Sequence, residues 1–240
     1  MPGLYRDQGV VLRTIKLGEA DRIVTFLTQG HGKVRAVAKG IRKSGSRFGA
    51  RLEPTSHVAV QCYRGRELDV VTQVETIDAN RSLRESYACI THAVPMLEAV
   101  DQVAQEREPA PAMYRMLVGA LRTLSEHPSP VVTPAFFWKL LSLEGFHPYL
   151  DGCVRCGDEL GPFTAFDLAE GGVLCVTCGR LGGMRVDAEA LAFLGRLVGG
   201  ELHVALAQPP EHHHVHEIER LGVLALEHHS ERRLRSAALL

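Results

Sequence analysis

Residues 8–77 carry the pattern of short β-strands, with runs of β-branched and apolar residues broken by glycine. Gly9-Val-Val-Leu-Arg-Thr-Ile-Lys16 is interrupted by Gly18-Glu-Ala-Asp21 before Arg22-Ile-Val-Thr-Phe-Leu-Thr28. Gln29-Gly-His-Gly32 has the composition of a tight turn. In Lys33-Val-Arg-Ala-Val-Ala-Lys39 the period is two, with Val34, Ala36 and Ala38 on one face and Lys33, Arg35, Val37 and Lys39 on the other. The glycine- and serine-rich cationic stretch over residues 40–49 has no periodicity. His57-Val-Ala-Val-Gln-Cys-Tyr63 and Leu68-Asp-Val-Val-Thr-Gln-Val-Glu-Thr-Ile77 complete five strands. So short a β unit must close or cover its edges, which predicts a small barrel or sandwich.

Beyond Asp78 the period becomes helical. Leu83, Tyr87, Ile90, Val94 and Leu97 form one stripe, and Tyr114, Leu117, Leu121 and Leu124 form a second that His127-Pro128 closes. Thr133 fits an N-cap with Pro134 at the first helical position, opening a helix through Leu141 that Gly145 can end. Residues 151–183 are turn-rich. Asp187 then caps a helix bearing Leu191, Leu194 and Leu197, stopped by Gly199-Gly200, and a last helix runs from Val215 to the His228 region. The expected class is α+β. A five-stranded barrel over 1–78 is followed by helices over 79–150, an insertion over 151–183 and helices again over 184–240.

Composition narrows the class without naming a function. Of 240 residues, 45% are hydrophobic and 23% charged, which excludes a disordered or collagen-like chain. No apolar run approaches the ~18 residues of a membrane span, and the first residues lack the core of a signal peptide. A soluble, cytoplasmic protein with no membrane partner is expected. The net charge of −1 hides an asymmetry: residues 1–66 hold 13 Lys and Arg against 4 Asp and Glu. That imbalance points to a polyanion for the first part alone, against the blander reading of a solvated surface.

Cys62 and Cys89 lie in apolar segments and read as small core residues. The other four cysteines, Cys153, Cys156, Cys175 and Cys178, form a C-x2-C-x18-C-x2-C pattern. Two residues between thiols let each pair turn back on one ion, and Gly157 and Gly179 permit the bend. Four thiolates close the coordination of zinc, so the metal is expected to be structural, one Zn2+ per chain; iron would accept the same ligands. A redox pair of the thioredoxin type should open a helix after a strand, and neither pair reads that way.

Arg13 and Lys16 in the first strand, Lys33, Arg35 and Lys39 in the third, and Arg42, Lys43, Arg47 and Arg51 in and after the loop form the densest cationic cluster. A groove lined by such side chains would follow a phosphate backbone and release its counterions. Phe48 and Tyr63 are the few aromatic candidates for base stacking, so electrostatics should dominate and sequence specificity is not expected. Seven of the 12 histidines come late, at 203, 212, 213, 214, 216, 228 and 229, behind Pro209-Pro210; exposed helix-start residues account for them better than a metal site. No phosphate loop, nucleophile elbow or H-E-x-x-H motif is present, and no nucleophile assembles with a base. The expectation is a protein that is not an enzyme.

Gly9-Val-Val-Leu-Arg13, Gly18-Glu-Ala-Asp-Arg22, Gly32-Lys-Val-Arg-Ala-Val-Ala-Lys-Gly40 and Leu141-Ser-Leu-Glu-Gly-Phe-His-Pro148 leading into Cys153 are individually modest and jointly specific. With the order of parts, they give a chain that resembles the RecO family of bacterial DNA repair proteins over nearly its whole length. The resemblance implies an N-terminal OB-fold and a helical domain with a zinc-finger-like insertion. It implies binding of single- and double-stranded DNA, annealing of complementary strands, and partnership with RecR in loading RecA onto strands coated by single-stranded DNA-binding protein (SSB), with association with the nucleoid during repair. The acidic, apolar-ended C-terminal tail of SSB is a further implied partner; Arg196, Arg220, Arg232 and Arg233 are the cations of the late helices that it could meet. Two rival classes stay open: an RNA-binding or transcription factor stabilised by zinc, and an adaptor whose basic β unit meets an acidic protein.

Overall fold

The computed structural model describes residues 3–46 and 48–240, and the chain forms two compact units, Met1–Pro128 with Ala238–Leu240, and Ser129–Ala237. In the first unit, β1 (Leu4–Leu17), β2 (Asp21–Thr28), β3 (Gly32–Ala38), β4 (His57–Tyr63) and β5 (Asp69–Asp78) close a barrel in the order β1-β2-β3-β5-β4. The strand pattern left a barrel or a sandwich open; the closed barrel is found, and it is the OB-fold that the resemblance implies. Strand β1 is longer than its apolar run: Leu4–Gln8 pair with β4 and Thr14–Leu17 with β2, so one strand spans the circuit. The register shift between Val11 and Arg13 bends it. Closure is finished by a short parallel contact, Ala36 with Asp69 and Val37 with Val70.

The period-two pattern decides what lies inside. Val11, Val24, Phe26, Ala36, Ala38, Val58, Val60, Cys62, Val71 and Val74 fill the barrel, and Ile41, Phe48 and Leu52 join them from the loop and the short 3-10 turn Gly49–Leu52 that follow β3. Helices α1 (Arg81–Glu85), α2 (Tyr87–Val103) and α3 (Pro111–Glu126) belong to this unit, and α2 and α3 pack on β1 and β2. The helical stripe that begins at Leu83 is broken at Ser86, whose side chain accepts from the Cys89 N–H and caps a new helix. Tyr87 is consequently exposed rather than in the core.

In the second unit, α4 (Val132–Leu143), α6 (Ala188–Val198) and α8 (His212–Ser230) pack together. Gly222 leaves room for Trp138, whose indole Nε1–H donates to the Ile218 carbonyl at 3.1 Å. Thr133 is not the cap of α4; it is buried inside the first turn, which starts one residue earlier. Gly145 ends this helix as expected, at positive φ, with Phe146 N–H on the Leu141 carbonyl and Gly145 N–H on that of Ser142. Asp187 caps α6 through the Glu189 N–H, and Gly200, at positive φ, closes it. The insertion is less irregular than its composition suggests. Strands β6 (Phe163–Asp167), β7 (Gly172–Cys175) and β8 (Met184–Arg185) form a small antiparallel sheet in the order β7-β6-β8, and Phe166 packs edge-on against Trp138. α7 (Leu202–Ala207) links α6 to α8.

Candidate metal centre and nucleic-acid interface

The first cysteine pair sits in a tight turn. Cys153 N–H donates to the Asp158 carbonyl and Gly157 N–H, at positive φ, returns to the Cys153 carbonyl, both at 2.8 Å. The second pair is built differently from the expectation. Cys175 ends β7 and Val176–Gly179 is a single helical turn, α5, so this pair does open a helix after a strand. Its partners decide its chemistry, however: the Sγ atoms of Cys153, Cys156, Cys175 and Cys178 all lie within 4.8 Å of one another. The Cys156–Cys175 sulfur separation is 3.7 Å, and a tetrahedron with Zn–S bonds of about 2.3 Å has edges of about 3.8 Å. The donor set therefore fits a thiophilic tetrahedral ion. Cys153 and Cys175 are themselves the centre of the insertion's core, with Ala165 and Leu174 beside them. So small a cluster would leave the fold of the insertion dependent on such an ion.

Electrostatics at the site favour one thiolate first. Burial pushes the Cys153 thiol up, but backbone N–H groups of Cys175, Cys156 and Arg155 outweigh it and draw the group down to about 6. Hydrogen bonding to Cys156, together with burial and the other thiols, holds Cys178 up at about 12. A bound cation would remove that mutual opposition. Arg155 braces the site from outside, donating to Asp167 at 2.6 Å.

The cationic residues of the barrel divide into two sets. Arg13, Lys33 and Arg35 face acids that the sequence did not connect with them. Arg13 pairs with Asp101 of α2; Lys33 Nζ donates to the Asp101 carbonyl at 2.6 Å and lies 3.8 Å from its carboxylate; Arg35 is 3.5 Å from Glu106. The chain after α2 is also stitched to β3, Lys33 N–H meeting the Gln105 carbonyl and Arg107 N–H the Lys33 carbonyl. Gly32 permits this approach, since a Cβ there would fall 1.8 Å from the Glu108 carbonyl oxygen.

The second set lies at the end of β1, on the loop after β3 and on the 3-10 turn that follows it. Lys16, Lys39, Arg42, Lys43 and Arg51 are exposed. Arg42 donates to the carbonyls of Glu19 at 2.8 Å and Gly18 at 3.3 Å, and Asp21 accepts from Gly40 N–H, so the β1–β2 turn and the loop after β3 are held side by side. Arg47 lies outside the described residues. Of the two stacking candidates, Phe48 is 2% exposed and committed to the core, whereas Tyr63 is 47% exposed.

The late histidines scatter. His212, His213 and His216 are exposed at the start of α8, and His203 is exposed on α7. His214 departs from the expectation: it is buried, with Nε2 3.4 Å from Asp187. His228 and His229 occupy the last turn of α8, and His229 stacks on Phe146 with ring centroids 3.7 Å apart. Arg196 lies over the Phe193 ring, and Arg220, Arg232 and Arg233 are exposed. No helix among the described residues is long and apolar enough to cross a membrane.

Comparison with known proteins agrees with this architecture. The family model described as Recombination protein O N terminal matches residues 1–80, and the one described as Recombination protein O C terminal matches residues 84–238. A DNA repair protein RecO from Cutibacterium acnes is 47% identical over 205 residues, covering 82% of this chain and 83% of the relative. Those from Streptomyces avermitilis and Streptomyces griseus are 45% and 44% identical over 243 aligned positions, with 97% of both chains covered in each case. A barrel, a helical unit and a four-cysteine cluster in this order, matched by relatives along almost the whole length, mean that the chain belongs to the RecO family of DNA repair proteins.

Proposed function

We propose that this protein is a non-catalytic recombination mediator. It binds single- and double-stranded DNA through its barrel and anneals complementary strands. With RecR, it promotes loading of RecA on DNA coated by SSB. Membership of a family of DNA repair proteins supports the pathway. The observation that carries the DNA-binding part is the group of exposed cations, Lys16 at the end of β1, Lys39, Arg42 and Lys43 after β3, and Arg51 on the 3-10 turn, with the β1–β2 turn and the loop after β3 tied together by Arg42 and Asp21. Such a group neutralises phosphates of both strands and lowers the repulsion that opposes their pairing. Arg13, Lys33 and Arg35 instead hold α2 and the chain after it through their acidic partners. Structural zinc held by the four cysteines keeps the insertion folded.

The test is a salt titration of oligonucleotide binding. Lys39→Glu with Lys43→Glu should weaken binding at low salt by about tenfold or more and flatten the log–log salt slope by about 2, with the fold intact. A folded double variant with unchanged affinity and slope would move the interface elsewhere.

A further inference from the structure

We propose that His212 and His216, one turn apart at the start of α8, form a second metal site that chelates an exchangeable divalent ion of the nickel, copper and zinc group. The site is separate from the four cysteines and does not rest on the DNA-binding reading.

The sequence alone does not separate the four histidines of His212-His-His-Val-His216, and the helix sorts them. His214 is buried with its Nε2 3.4 Å from Asp187, and His213 Nδ1 is 3.3 Å from Glu211. His212 and His216 are both exposed and stand four residues apart. A turn of about 3.6 residues therefore sets them on one side of the helix, one above the other. Ile218 and Leu221, like His214, are buried on the opposite side, so the side that carries the pair stays open. The β-carbons of such a pair are about 5 to 6 Å apart, a separation that two imidazoles can bridge through one ion. The same spacing separates the two histidines of H-E-x-x-H; the glutamate of that motif is missing here, so the arrangement supports binding rather than hydrolysis.

The surroundings indicate the occupant. The buried Glu219 carboxylate lies 3.7 Å from His216 Nδ1, which makes Nε2 the nitrogen remote from the acid. A carboxylate behind one nitrogen of an imidazole is the usual outer partner when the other nitrogen binds metal. The dipole at a helix start opposes a cation. Here residues 211–220 carry Glu211, Glu217 and Glu219 against Arg220, and Asp187 adds its charge beside His214. Imidazole ligands suit nickel, copper and zinc, whereas magnesium and calcium want oxygen. With two protein ligands, water completes the coordination and the ion stays exchangeable, unlike one closed in by four thiolates. Glu211 gives α8 no side-chain cap. A chelate across the first two turns would hold the start of a helix that packs on α4 and α6.

The experiment is equilibrium dialysis of the full, untagged protein, its cysteines loaded with zinc, against Ni2+, with both metals counted. About one Ni2+ per chain should bind while the zinc is retained. His212→Ala and His216→Ala should each weaken nickel binding by about tenfold or more, and His213→Ala should leave it unchanged. The three side chains are exposed, so the variants should keep the fold, which circular dichroism checks. Ni2+ should also raise the thermal midpoint of the unmodified protein and of His213→Ala, but not that of His216→Ala. No bound nickel, or nickel gained only as zinc leaves the cysteines, would overturn the site. Equal loss in all three histidine variants would reduce it to an adventitious ion only, held by a histidine-rich surface.

Discussion

Single residues show where sequence patterns carry chemistry and where only the fold does. The four clustered cysteines are legible because the chemistry lives in their spacing; a C-x2-C pair determines its own turn. Lys33 and Asp101 are not legible, since nothing local connects residues so far apart in the chain, and a cation on a strand looks the same whether it meets water or a carboxylate. Phe48 illustrates the same limit, because a glycine- and serine-rich loop gives no sign that its aromatic side chain turns inward to close the barrel. Glu219 is another. Its position on the last helix looks like any exposed acid, but the side chain is buried, on a helix that packs against α4 and α6, with His216 Nδ1 3.7 Å from its carboxylate. Burial pushes its carboxyl up from 4.5 to about 7. The sign follows from linkage. Below pH 4.5 both states are protonated; between 4.5 and 7 the unfolded chain gives up the proton while the native state keeps it, so stability falls as pH rises, and above 7 the whole cost is present. Glu219→Gln should therefore stabilise the protein by about 2 kcal/mol at pH 8 and change it little at pH 4, read by denaturant unfolding at both. Equal effects at the two pH values would show that the carboxyl does not titrate in this range.

At the scale of elements, the barrel strands, α3 and the stops at Gly145 and Gly200 are readable, because period and backbone conformation are local properties. The small sheet β7-β6-β8 is not. Its strands are short and lie among turn residues, and what orders them is the cysteine cluster that joins β7 to the turn after Tyr149. A sheet of this size, whose core contains the four-cysteine cluster, should not outlast an ion bound there. Removing the metal with a strong chelator under reducing conditions, or replacing Cys156 by Ser, should release about one zinc per chain and open residues 151–185 to proteolysis. The barrel should keep its affinity for oligonucleotides. A metal-free protein that resists cleavage there would contradict the structural role of the site.

For the molecule as a whole, the charge asymmetry of the sequence survives folding in altered form. The basic excess of residues 1–66 is met within the same compact unit by acids of α2 and the chain after it, so Met1–Pro128 carries 18 Lys and Arg against 14 Asp and Glu. What remains includes the exposed cations at the end of β1 and after β3, Lys16, Lys39, Arg42 and Lys43. Net charge thus indicates a polyanion partner, whereas the fold decides which cations meet it. The account as a whole, a mediator that pairs strands by screening their phosphates and consumes no nucleotide, is tested most directly by annealing. Two complementary oligonucleotides are mixed with the zinc-loaded protein, without ATP, at low and at physiological salt. The account predicts annealing well above the spontaneous rate, sharply reduced by salt and by Lys39→Glu with Lys43→Glu. A folded, zinc-loaded protein that leaves the annealing rate unchanged at low salt would contradict it.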